Sequence, residues 1–157
     1  MTERVSMQWI EEVLAQHRHL KSEVAELERF LEQPRPEPNE PGSHTWAVEL
    51  SRRLLVLHDE LFKHFRYEEE AEGKQSLLEK HPEVARRLEE ILDEHPSLLR
   101  EVRHIVSDVL AYAEGADPVD PALRRRIGMV LERFHQHERE ENQLFLRVEY
   151  RDVGAAD

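Results

Sequence analysis

Apolar residues recur along most of this chain at alternating steps of three and four, the period of a helix with one buried face. Four long stretches carry the repeat. The first contributes Ile10, Val13, His17, Leu20, Val24, Leu27 and Leu31, and the second Ala47, Leu50, Leu54, Leu57, Leu61, His64, Glu68 and Ala71. The third runs through Val84, Leu88, Ile91, His95, Leu98, Val102, Ile105 and Val109, and the fourth through Leu123, Ile127, Val130, Phe134, His137, Glu141, Leu144 and Val148. Helix breakers separate them. Pro34, Pro36, Pro38 and Pro41 crowd the first break, the second spans Glu72-Gly73 to His81-Pro82, and the third spans Gly115 to Pro121. Proline removes a backbone donor and clashes with the preceding turn, so the first break cannot be helical.

The pattern predicts helices over 4–32, 44–72, 82–114 and 121–150, each about 42–50 Å long at ~1.5 Å per residue. Ser43 is the expected N-cap of the second, and Gly73 and Gly115 sit where a helix C-terminus favours a left-handed residue. Asp120-Pro121 reads as an N-cap followed by a first-turn proline. Pro96 falls inside the third helix with the apolar period continuing through it, which predicts a kink and not a boundary. Long helices with short connections make the expected fold all-α, an up-down-up-down antiparallel four-helix bundle, with residues 1–157 as one domain.

Composition narrows the function. The 157 residues hold 22 basic and 34 acidic side chains, a net charge of −12. That balance argues against a nucleic-acid ligand, since Arg124-Arg125-Arg126 is the one dense basic run. With no cysteine, disulfides, thiolate metal sites and thiol chemistry are all excluded. No apolar leader or membrane-length apolar run is present, so no membrane association is expected and the expected compartment is the cytoplasm.

The seams are interrupted by polar residues in a regular way. Each carries one histidine: His17, His64, His95 and His137. On the second and fourth seams a glutamate follows four residues later, Glu68 and Glu141, on the same helix face. A lone histidine and then a His-x-x-x-Glu thus appear in each half of the chain. Burying a carboxylate costs several kcal/mol even after relaxation, and no seam lysine or arginine is present to offset it. A pair of cations would. Imidazole nitrogen and carboxylate oxygen suit iron, manganese or zinc. Four imidazoles and two bridging carboxylates give each ion about four protein bonds, leaving positions open for a bridge and a small ligand.

The order His, His-x-x-x-Glu, His, His-x-x-x-Glu, one element per helix, resembles the hemerythrin family in its hemerythrin-like, HHE cation-binding branch. The similarity covers nearly the whole chain and includes His64-Phe65 leading into Glu68-Glu69, and His137-Glu138 leading into Glu141-Asn142-Gln143-Leu144-Phe145. The resemblance implies a non-haem di-iron centre with an oxo or hydroxo bridge. His17, His64, His95 and His137 would be terminal ligands, and Glu68 and Glu141 bridging ones. Two departures separate this chain from the oxygen carriers. Leu99 stands where they place a further histidine, and the last helix spaces histidine and carboxylate by four residues, not five. What the resemblance leaves is binding or sensing of O₂, NO or peroxide, or iron handling. The alternative is an oxidase- or peroxidase-type enzyme at the same centre.

The other six histidines, His19, His44, His58, His81, His104 and His135, fall off the seams or in loops and are expected exposed or at boundaries. Glu101-x-x-His104 and Glu132-x-x-His135 match the spacing of ferritin-like di-iron sites but lie one residue off the seam. Glu69, Glu94 and Glu138, each next to a proposed ligand, could orient ligands from outside or be solvated charges. Against all these stands a plain helical interaction protein whose polar seam residues set register. No signalling domain fits in this length, so any signal would pass to a separate protein partner, and the oligomeric state is left open.

Overall fold

The computed structural model of the chain describes residues 2–37, 40–70, 72–115 and 121–155. It is all-helical, with α1 (Thr2–Glu32), α2 (Ser43–Glu70), α3 (Glu72–Lys80), α4 (Pro82–Leu92), α5 (His95–Ala113) and α6 (Leu123–Ala155). No strand occurs among the described residues. α2 packs along α5, α1 along α2 and α3, α5 along α6, and α4 and α1 also lie against α6. Among the described residues, no helix is long and apolar enough to cross a membrane.

The seam positions are the buried ones. On α4, α5 and α6 every seam residue is buried, and on α1 and α2 the only described exception is the half-buried Leu31. Ala71 lies outside the described residues. The apolar seam residues form two clusters. One gathers Leu20, Val24 and Leu27 of α1, Ala47 to Phe65 of α2, Leu98 to Val109 of α5, and Leu123 to Phe134 of α6. The other gathers Trp9, Ile10 and Val13 of α1, Leu77 of α3, Val84 to Leu92 of α4, and Leu144, Phe145 and Val148 of α6. In sequence, His17, Glu68, His95, His137 and Glu141 fall between the two clusters, and His64 lies at the edge of the first, one residue before Phe65.

Three local expectations change. The stretch read as the second break is largely helix: α3 fills 72–80 and buries Leu77 in the second cluster. Gly73 is no C-cap. It is buried inside α3 against Trp9, where an added Cβ would sit 2.1 Å from the tryptophan Cβ. The glycine permits close approach of two helices, a use that local pattern does not distinguish from a turn. Pro96 lies in the first turn of a new helix, since α4 ends at Leu92 and α5 begins at His95. Its missing N–H costs nothing there. Asp93 and Glu94 keep right-handed backbone angles, so the seam passes the break in register.

Two further caps divide. Gly115 does take a positive φ of 76° just past α5. Ser43 is the first helical residue of α2, and Gly42, at φ 98°, supplies the carbonyl that accepts the Trp46 amide at 2.8 Å. Asp120 lies outside the described residues.

Candidate metal centre

The six polar seam residues come together. His17, His64, Glu68 and Glu141 form one buried group that could hold a metal ion, and Glu68, His95, His137 and Glu141 form another. Within each group the candidate ligand atoms all lie within 4.8 Å of one another. Both glutamates belong to both groups, and Glu68, His137 and Glu141 are 0% exposed. His-x-x-x-Glu spacing puts each pair one helical turn apart, so Nε2 of His137 reaches Oε1 of Glu141 at 2.6 Å, and His64 meets Glu68 in the same way. His17 Nε2 lies 3.0 Å from Glu141 Oε2, and His95 Nε2 lies 3.8 Å from Glu141 Oε1.

The imidazoles form two similar pairs. The rings of His17 and His64 meet edge to face at 4.8 Å and 68°, and those of His95 and His137 at 4.8 Å and 61°. Phe65 stacks flat on His95 at 3.7 Å and walls that pair on the side of the first apolar cluster.

Outside the centre, each histidine turns its Nδ1 towards an oxygen. That of His17 donates to Asn142 Oδ1 at 2.9 Å, of His64 to Gln16 Oε1 at 2.7 Å, and of His95 to Glu69 Oε1 at 3.1 Å. His137 Nδ1 lies 3.5 Å from Glu94 Oε2. An Nδ1–H so engaged leaves the Nε2 lone pair for the interior. Every one of these partners is the chain neighbour of a different candidate ligand. Gln16 beside His17 serves α2, Glu69 beside Glu68 serves α5, Glu94 beside His95 serves α6, and Asn142 beside Glu141 serves α1.

Charge is unevenly spread over the metal-free cluster. Burial first, and then the charge on Glu141, pushes the Glu68 carboxyl well above the ordinary range. Burial alone would also raise Glu141, but His137, His17 and His95 outweigh it and hold that carboxyl well below the ordinary range. Burial opposes charge on His17 and His137, yet Glu141 keeps both above the usual imidazole value. His64 is pushed down to about 3 by burial and by His17.

Nε2 of His17 and His64, and both oxygens of Glu68 and of Glu141, make ion-pair contacts at most and no directed hydrogen bond. Each buried polar atom left unsatisfied costs about 1–3 kcal/mol. Among the described residues no lysine or arginine is buried with them. Nε2 of His95 and of His137 lie 3.0 Å apart in a hydrogen bond, and nitrogen and oxygen donors converging in this way fit cations of the first transition row or zinc.

The remaining histidines stay out of both groups. His44 and His104 are exposed, His135 lies 3.5 Å from Glu28, and His19 lies 3.7 Å from Glu60. The two ferritin-like spacings therefore lead away from the centre. His58 is half-buried near the Arg103 charge. His81, expected in an exposed loop, is buried between α3 and α4, because the loop there is a single residue. Of the three outer glutamates, Glu69 and Glu94 face candidate ligands, whereas Glu138 is buried near His17 with an unsatisfied Oε1. Gln16 and Asn142 carry no site signal in the sequence beyond their adjacency to His17 and Glu141. No protein-family model, curated protein or solved structure matches the chain.

Proposed function

We propose that this chain is a non-haem two-metal protein of the hemerythrin-like kind, holding iron and binding or sensing a small ligand such as O₂, NO or peroxide. The observation that carries the reading is the pair of buried His-His-Glu-Glu groups that share both carboxylates. His17 and His64 would hold one ion, His95 and His137 the other, with Glu68 and Glu141 bridging. The ions would supply Lewis acidity and, as iron, one-electron redox chemistry. Glu68 would give up its proton on loading, and the Nδ1 partners would hold each ring in its tautomer.

The same reading takes the helices as an up-down-up-down four-helix bundle. Its support is the order of cluster residues. α1 and the α4–α5 segment meet the second apolar cluster first and the first cluster later, whereas α2 and α6 begin in the first cluster. The surroundings on one side of the centre are apolar. An apolar void of about 10 Å³, near the space one water-sized molecule needs, touches Leu61, Leu98 and Phe134, each three residues from a candidate ligand.

Anaerobic reconstitution of the metal-free protein with Fe(II) tests the proposal. The expected result is a coupled iron pair by Mössbauer spectroscopy, with anomalous scattering at the iron edge in both groups. A reversible spectrum with O₂ or NO marks binding or sensing, and sustained peroxide consumption marks the oxidase or peroxidase alternative. Negligible uptake of iron, manganese and zinc would sink the metal reading and leave the register role.

A further inference from the structure

The two halves of the centre share their bridging carboxylates and mirror each other in ring geometry, but not in what stands behind the rings. His17 and His64 donate to the neutral amides of Asn142 and Gln16. His95 donates to the carboxylate of Glu69, and His137 faces the carboxylate of Glu94. We propose, on the two-metal reading above, that the halves are chemically unequal and that the His95–His137 position takes up a divalent metal ion first.

The physical reason lies in the acceptor. A carboxylate draws the Nδ1 proton more strongly than an amide does, so the imidazole gains electron density at Nε2 and becomes a better donor to a cation. It also adds a negative charge near the ion. Glu69 and Glu94 are each 42% exposed on their side chains, so solvent screens that charge, and the through-ring effect carries the larger share. Glu69 dominates, because it is within hydrogen-bond distance at 3.1 Å and Glu94 stands off at 3.5 Å.

Two features of the other half oppose the difference without cancelling it. Gln16 donates its own amide to Glu12 at 3.2 Å, but that carboxylate is one side chain further from His64. Glu138 is buried near His17, yet no hydrogen bond joins the two, so it does not draw the ring proton as Glu69 does.

Titration of the metal-free full-length protein with Mn(II), followed by electron paramagnetic resonance, tests this. The expected wild-type course is a mononuclear spectrum up to the first equivalent and a coupled spectrum with the second. Crystals holding one equivalent should place the anomalous peak between His95 and His137. Glu69→Gln keeps an acceptor but removes its charge, and should weaken the first step about tenfold so that the steps merge. Asn142→Asp, which puts a carboxylate behind His17, should strengthen the second position and keeps the test open if Glu69→Gln fails to fold. A first ion found at His17 and His64 or split evenly would overturn the inequality while leaving the two-metal reading intact. So would an order indifferent to both substitutions. A wild-type protein that never gives a coupled spectrum would instead overturn the two-metal reading and this inference with it.

Discussion

One turn separates Leu61 from His64, Leu98 from His95 and Phe134 from His137 on three shared seams. On the leucine and phenylalanine side the interior is apolar and needs nothing else, because burial itself stabilises it. On the histidine side the same seams bury two carboxylates and four imidazoles whose inward atoms are largely unpartnered. Burial favours one layer and opposes the other. The polar layer could hold a metal ion, and this contrast makes the metal-free state the informative reference.

The sharpest break in the comparison is removal of a ligand. Glu68→Ala or His137→Ala should abolish the coupled metal pair, whereas His58→Ala or His135→Ala should bind as the unaltered protein does. Metal content by mass spectrometry after reconstitution checks it, and equal loss in both classes would refute the ligand set. Next in size is the apolar layer. Leu54 is 1% exposed in the first cluster, and Leu54→Ala should cost about 2–5 kcal/mol whether or not metal is present. A cost seen only in the loaded protein would mean that the cluster depends on the centre.

Glu68→Met reverses the sign within the polar layer. It replaces a buried carboxyl by an apolar side chain of similar size, so it should stabilise the metal-free protein by up to about 1–4 kcal/mol while removing metal uptake. Urea denaturation with chelator present reads the first effect. A destabilised metal-free variant would show that the layer is already satisfied by its own hydrogen bonds.

The smallest effect is on pH dependence. Glu68, His17 and His137 are raised in the folded chain, so what they contribute is lost as pH rises through their folded values. Glu141 and His64 are lowered, and their contribution is already complete above the ordinary histidine value of 6.5. Only the raised groups still titrate above that point. The metal-free denaturation midpoint should therefore fall as pH rises above the ordinary histidine value of 6.5, and the loaded protein should lack that fall. A rising metal-free midpoint would contradict this charge arrangement.

Much of this was legible in the chain itself. The three-and-four spacing marked which residues are buried, and His17, His64, Glu68, His95, His137 and Glu141 stood out because polar residues on an apolar stripe need a reason. α3 was not legible. Gly73 reads as a helix end by local chemistry, and only the approach of Trp9 makes it an interior contact. The break before Pro96 was legible as a proline, but its form depended on whether the backbone bent or restarted.

What the sequence determined alone is which face of each helix turns inward and which six polar side chains that face carries, because helical periodicity is a local property. What only the tertiary structure decided is who stands opposite. Gln16, Glu69, Glu94 and Asn142 each sit beside a candidate ligand in the chain but contact the histidine of another element. A residue one position off the seam is rotated by about 100° on its own helix. That rotation aims it at a neighbour, and the identity of the neighbour depends on how the helices pack.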